Sequence, residues 1–359
     1  MNRFLKIIRF VLPMLVIGTL VIHILYGWEI GSYFNPENTT DNIVELSQLV
    51  SEQIDIGLME GTFYTSNITL DDISKINEYM CSLNGVVHQY SVLSKKNNKM
   101  CIKLKYELSD NYYVYQQYVY GVPIPDYYPN AQKLYEEVVK VLDEIIVGHM
   151  TDYEKELAIH DYIVKNCSYG YTEYDTDNAY RAYGALVQHK AVCNGYAEAF
   201  SLLLTCVGID NHIMTGYADG DLHAWNRVKL DDVWYQVDVT WDDPVPDRGI
   251  FVGHMYFNVN DEIMSERHTW NKRNLEPCYS LNENYFVKNK YVCDYHGFKI
   301  IVEREALDKI IGITEVVVTD YNEGYDFRFI NNIKGIGRFR LGVPEKYGDN
   351  YFLTIYLNQ

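Results

Sequence analysis

The chain has 359 residues, with 31 Lys and Arg against 49 Asp and Glu and a formal net charge of −18. An acidic surplus of that size repels phosphate backbones, which excludes nucleic acid as the expected partner. At 48% hydrophobic and 22% charged residues, the chain is apolar enough to bury a core and too apolar for a disordered acidic tail.

In chain order, Arg3, Lys6 and Arg9 come first, followed by an apolar run from Phe10 to Trp28 without a formal charge. At 1.5 Å per residue these 19 positions just span a hydrocarbon layer of roughly 30 Å. The run exceeds the apolar length of a secretory signal and no A-x-A-like site follows it, so an uncleaved single-pass anchor over residues 10–28 is expected. Secretion after cleavage is the alternative, and a buried core helix a distant third. Positive charge before the run, with Glu29, Glu37 and Asp41 after it, places residues 1–9 in the cytoplasm and the body outside the cell membrane.

Residues 29–45 read as a polar linker. A small α/β module is expected over 46–122, with helical stretches at Asn42–Met59 and Asp71–Asn84 and strand-like runs at Val86–Leu93, Met100–Leu108 and Tyr112–Tyr120. Pro123, Pro125 and Pro129 mark a boundary. A catalytic domain follows over 126–272, opening with helices at Ala131–His149 and Asp152–Asn166, the second with Thr151 as N-cap and Glu154 completing a capping box. Residues 291–359 read as a second α/β module with a helix at Glu303–Ile311 among strands. The seven cysteines form no C-x-x-C pair, so no metal site or cofactor is expected, and their odd number leaves at least one thiol free.

Two stretches carry chemistry. In the first, a run of strong helix formers ends on Gly208 and begins close to Cys193. A thiol at a helix N-terminus faces unpaired backbone N–H groups and the positive end of the dipole, which favours thiolate and offers donors to an oxyanion. In the second, residues 223–241 alternate around Asp231-Asp232, as in a hairpin with a two-residue turn. That turn pairs Leu230 with Val233, Trp225 with Asp238 and His223 with Thr240. The face holding Ala224, Val228, Leu230, Tyr235 and Val237 belongs to the core. On the other, His223 and Asp238 are diagonal neighbours, with Cβ atoms roughly 5–8 Å apart. Cys193, His223 and Asp238 thus supply a nucleophile, a base and an orienting acid.

These residues resemble the transglutaminase-like superfamily of papain-type thiol enzymes. The resemblance lies in Cys193-Asn-Gly-Tyr-Ala-Glu-Ala-Phe, His223-Ala-Trp-Asn-Arg-Val and Trp234-Tyr-Gln-Val-Asp238-Val-Thr-Trp-Asp-Asp-Pro244, with Tyr256-Phe257 and His268 similar to the tail of bacterial members. It covers residues 150–272 and implies an α+β, papain-like cysteine protease core carrying a Cys193–His223–Asp238 triad. It further implies acyl transfer on protein or peptide amides. Hydrolysis is slightly favoured over transamidation because no long apolar lid is evident. Asn194, Tyr162 and Trp225 are candidates for the oxyanion site or groove. Asp219 with Asp221, and Asp242 with Asp243, lack the alternating oxygens of a calcium loop, and Arg227 and Lys229 read as rim charges. The rival expectation is a catalytically silent scaffold of the cell envelope. Oligomeric state and substrate do not follow from the sequence.

Overall fold

The computed structural model describes residues 40–359 apart from 81–83, 97–98, 244, 246–251, 273–274, 290–291, 295–298, 301–312, 320–338, 342–344 and 358–359. The expected membrane helix at 10–28 and the helix at Glu303–Ile311 lie outside the described residues. Among those described, no helix is long and apolar enough to cross a membrane.

The chain is mixed α+β. Helix α1 (Ile43–Asp55) starts three residues before the expected module, with the Asn42 side chain accepting from the Val44 N–H. Strand β1 (Glu60–Thr65), absent from the sequence expectation, precedes short helices α2 (Leu70–Ser74) and α3 (Ile76–Tyr79) and strands β2 (Gly85–Lys96) and β3 (Lys99–Leu108). The strands form an antiparallel sheet ordered β1-β3-β2. Leu46, Val50 and Ile54 of α1 fill its inner face against Phe63, Ile102 and Leu104.

Residues 112–120, expected as a strand, belong to helix α4 (Asp110–Tyr120). Ser109 caps its start by accepting from the Tyr112 N–H, and Gly121 ends it in the left-handed conformation. The five tyrosines of this stretch mimic strand alternation, but only Asn111 and Val114 face inward, at helical spacing. Val114 packs with Ala131, Leu134 and Val138 of helix α5 (Pro129–Ile145), so α4 shares the core of the region that follows it and not that of the N-terminal module. Helix α6 (Asp152–Asn166) carries the expected Thr151–Glu154 capping box.

After β4 (Ser168–Tyr169), helix α7 (Ala182–Leu186) and β5 (Lys190–Ala191) comes the central helix α8 (Cys193–Cys206). Phe200, Leu202, Leu203 and Leu204 of α8 are fully buried, each contributing roughly 1.5–3 kcal/mol of apolar transfer. Gly195 is required by close approach, since a Cβ there would lie 2.5 Å from the Ala179 carbonyl oxygen. Strands β6 (Asn211–Ala218), β7 (Asp221–Leu230) and β8 (Val233–Val237) follow. Next come helices α9 (Val239–Asp242) and α10 (Asp261–Met264), strand β9 (His268–Thr269) and helix α11 (Tyr285–Lys288). The sheet order is β8-β7-β6-β9. Leu230 opposes Val233 and Asn226 opposes Val237, the register expected from a two-residue turn. Asp231 and Asp232 both have positive φ, 47° and 64°, as a hairpin turn matching strand twist demands.

The sheet is buried on both faces. One packs on α8 through Val228, Tyr235 and Val237. The other, expected to be more polar, carries Met214 and Trp225 under Tyr256, Val259, Ile263, Met264 and Phe286. Packing therefore continues past residue 272 to α11, where the Asn289 side chain donates to the Tyr153 hydroxyl at 3.3 Å. The C-terminal strands make a mixed sheet ordered β11-β10-β12-β15-β13, with β10 (Val292–Asp294), β11 (Lys299–Ile300), β12 (Ile313–Thr319), β13 (Phe339–Leu341), β14 (Glu345–Tyr347) and β15 (Asn350–Leu357); β14 pairs β15 off that path.

Candidate active site

Cys193 is the first residue of α8. The N-cap residue, Val192, offers no side-chain acceptor, so the first-turn N–H groups face the thiol region uncapped by a side chain. Cys193, Ala197 of α8 and Ala224 of β7 form a small buried cluster, which sets the thiol beside the start of β7 where His223 stands. The His223 Nε2 lies 2.7 Å from the Asp238 Oδ2, and Cys193 lies within electrostatic reach of the ring. Burial alone lowers the proton affinity of His223, but the charge and hydrogen bond of Asp238, together with the Cys193 contact, outweigh it and raise the imidazole to about 10.

Asp238 differs from expectation in one respect: it is not a strand residue. Strand β8 stops at Val237, and Asp238 caps α9, its Oδ1 accepting the Trp241 N–H at 3.1 Å. Along the outer edge of β8, the Gln236 N–H and C=O pair with Val259, and the Asp238 N–H donates to the Tyr256 carbonyl at 3.1 Å. The carboxylate still reaches His223 across the hairpin. Burial pushes its carboxyl upward, and His223 and His268 more than offset that, holding it below the usual carboxylate range.

His268 of β9 is the residue whose place sequence reasoning missed. Its Nε2 lies 2.9 Å from the same Asp238 Oδ2 that holds His223. Among motif features, only its likeness to the tail of bacterial members pointed to it.

Of the other candidates, Asn194 adjoins Cys193 in the chain. The Cys193 thiol donates to the Asn194 Oδ1 at 3.6 Å, and the Asn194 amide donates to the Met80 carbonyl of the N-terminal module at 3.1 Å. Trp225 is 1% exposed and donates to the Gln236 Oε1 at 2.8 Å, so it backs His223 from inside the core and does not line a groove. Tyr162 sits on α6 among Glu137, Lys140 and Glu144 of the α5 segment. Tyr169 of β4, half exposed, is instead the tyrosine in the field of the thiol: burial, then Cys193, raises its hydroxyl to about 12. Arg227 is buried rather than a rim charge, its guanidinium 4.9 Å from the Trp234 ring centre, and Lys229 pairs with Asp232.

Around this centre, buried polar groups lock the elements. Glu198 of α8 accepts from Arg181 at 2.9 Å, from Asn111 of α4 at 2.9 Å and from the Ala182 N–H at 3.2 Å. His160 of α6 bridges Asp161 and Asp242, each at 3.2 Å. Burial opposes its charging, and the two carboxylates prevail, raising it to about 9. Asp243 accepts from the Tyr196 hydroxyl at 2.5 Å, and Asp219 pairs with Arg267. Among the described residues, two groups gather three metal-type ligand atoms: His160, Asp161 and His254, and His223, Asp238 and His268. In both, those atoms already bond one another.

Five described cysteines are free: Cys101, Cys167, Cys193, Cys206 and Cys278. Burial pushes the Cys167, Cys206 and Cys278 thiols up to about 12 each.

Residues 139–239 match the sequence profile of the transglutaminase-like superfamily, so the chain carries a domain of that superfamily, running from within α5 to the residue after Asp238. Among curated proteins it is similar to the human kyphoscoliosis peptidase, at 27% identity over 42% of this chain and 26% of that protein. The match thus spans about a quarter of the relative's length. Among solved structures, one described as a TGase is 14% identical, covers 57% of this chain and 59% of its own, and has a TM-score of 0.26. The periplasmic domain of TgpA from Pseudomonas aeruginosa is 13% identical over 40% of this chain and 55% of its own, with a TM-score of 0.25. Scores this low support no statement about shared fold or function.

Proposed function

We propose that this chain is a thiol-dependent enzyme of the cysteine peptidase or acyltransferase kind, acting on protein or peptide amides through Cys193, His223 and Asp238 in a papain-like core. The observation that carries this is the convergence of a thiol at an uncapped helix N-terminus, an imidazole within its electrostatic reach, and a fully buried carboxylate 2.7 Å from that imidazole. His223 holds the proton as an imidazolium while the Cys193 sulfur, as a thiolate, attacks the amide carbonyl. The first-turn N–H groups of α8 are the nearest donors for the oxyanion. His223 then hands the proton to the leaving amine, and a thioester remains on Cys193. Water attacking that thioester releases an acid; an amine attacking it makes a new amide.

Hydrolysis is the favoured outcome, since the sequence around the motifs shows no long apolar lid to keep water from the thioester. Incubation with casein and a tagged primary amine separates the two: new peptides without tag support hydrolysis, and tag incorporation supports transamidation. Neither product, or products undiminished in Cys193→Ala, refutes the enzyme. The apolar run Phe10–Trp28 is the reason for setting this body outside the cytoplasm on a membrane tether. Protease treatment of intact cells that removes the body supports that side; full protection contradicts it.

A further inference from the structure

We propose that His268 is a positioning residue of the thiol centre: as a neutral imidazole, it donates its Nε2–H to Asp238 and fixes the carboxylate in the orientation that receives His223. This rests on the triad reading above and deepens it.

The Asp238 Oδ2 receives two imidazoles, His223 at 2.7 Å and His268 at 2.9 Å, while its Oδ1 accepts the Trp241 N–H at 3.1 Å. Three donors from β7, β9 and α9 therefore hold one carboxylate at the corner where β8 gives way to a single helical turn. That corner alone would leave the side chain free to swing about its own axis. The His268 ring is fully buried and boxed by Trp241, Trp225 and Tyr256, with centroids at 4.4, 5.2 and 5.3 Å. Its Nδ1 is buried without a hydrogen-bond partner. A proton on that nitrogen would be an unsatisfied buried donor, so the network assigns the single proton to Nε2, facing the carboxylate. A neutral donor restrains Asp238 without cancelling the negative charge that His223 needs; a second imidazolium there would compete with His223 for it.

The backbone is shaped for this contact. β9 pairs with β6, placing His268 opposite Ala218. Gly216 of β6, itself opposite His223, lets β9 come close, because a Cβ there would lie 2.2 Å from the Thr269 carbonyl oxygen. Arg267, next to His268 in the chain, pairs with Asp219 and Glu345, and its guanidinium stacks over Trp241 at 4.4 Å.

The test is the iodoacetamide alkylation rate of Cys193 in the full-length chain at pH 7, read by mass spectrometry. His268→Phe keeps an aromatic ring in the box and removes the donor; it is expected to slow alkylation about tenfold, within the roughly hundredfold that a misplaced reacting group can cost. His268→Gln, which restores an N–H donor, is expected to recover most of the rate. On an Asp238→Asn background, His268→Phe is expected to change nothing further. A wild-type rate in His268→Phe overturns the inference, as does an equal slowing on both backgrounds. His223→Phe separates the two levels of the claim: if it leaves the rate unchanged the triad reading itself fails, and if it slows alkylation while His268→Phe does not, only this inference fails. Should His268→Phe not fold, ¹⁵N shifts of the wild-type histidines decide: the inference requires neutral His268 with its proton on Nε2, and an imidazolium pattern overturns it.

Discussion

Asp238→Asn removes the charge behind His223 while keeping nearly the same shape, and its consequence for stability follows from the shift that charge sustains. His223 binds its proton with a value of about 10 in the folded chain, against 6.5 ordinarily. A group raised in the folded state contributes stability that is complete below its unfolded value and fades as pH climbs to the folded one. Between pH 6.0 and 9.5, His223 alone should therefore cost the wild type about 4 kcal/mol, little reduced by screening because the side chain is only 7% exposed. In Asp238→Asn burial is left to dominate His223, and that loss should vanish. Urea unfolding of both proteins at the two pH values measures it as a difference of differences, in which other titrating groups, His160 included, cancel. Parallel stability curves for wild type and variant would refute the electrostatic pairing of His223 with Asp238.

Glu156 of α6 is fully buried, accepts from the Asn258 side chain at 2.8 Å and is raised by burial to about 8. Its unfolded form ionises near 4.5, so the wild type loses stability as pH rises through that interval, and Glu156→Gln is expected to be more stable by about 3 kcal/mol at pH 7 in urea unfolding. No gain would mean that Glu156 is already ionised in the fold. Glu198→Ala strands Arg181 and Asn111 and should destabilise by about 3–5 kcal/mol, seen as a lower denaturation midpoint; a change under ~1 kcal/mol would show the network to be inert. Gly216→Ala forces a methyl toward the Thr269 carbonyl and the Trp225 ring. It should cost about 1–3 kcal/mol and slow Cys193 alkylation by displacing β9; a melt and an alkylation rate both like wild type would contradict that packing.

Local patterns carried much of the site. Helix α8 was readable from helix formers closed by Gly208, which takes the expected left-handed conformation, and the hairpin register from one turn dipeptide. The failures share a cause: tertiary partners override periodicity. The tyrosines of α4 alternate like a strand, but a Ser109 cap and burial of Val114 against α5 decide for helix. β8 was extended to Trp241 because the residues keep alternating; in the fold Asp238 caps a new turn and Gln236 pairs with Val259. A hairpin considered alone shows one apolar face, and nothing in its own sequence tells that residues 256–286 return to cover the other. His268 escaped for the same reason, standing 30 residues beyond the carboxylate it shares.

The central claim is that Cys193 is activated and the other thiols are not, and competitive labelling tests it most directly. Limiting iodoacetamide at pH 7, followed by peptide mass spectrometry, ranks the cysteines of one sample against each other. Cys206 is the sharpest comparison, because it is more exposed than Cys193 but is raised to about 12 by its surroundings. The account predicts that Cys193 is modified first, at least about tenfold faster than Cys206, and that His223→Phe abolishes the preference. Equal labelling of Cys193 and Cys206 would contradict it.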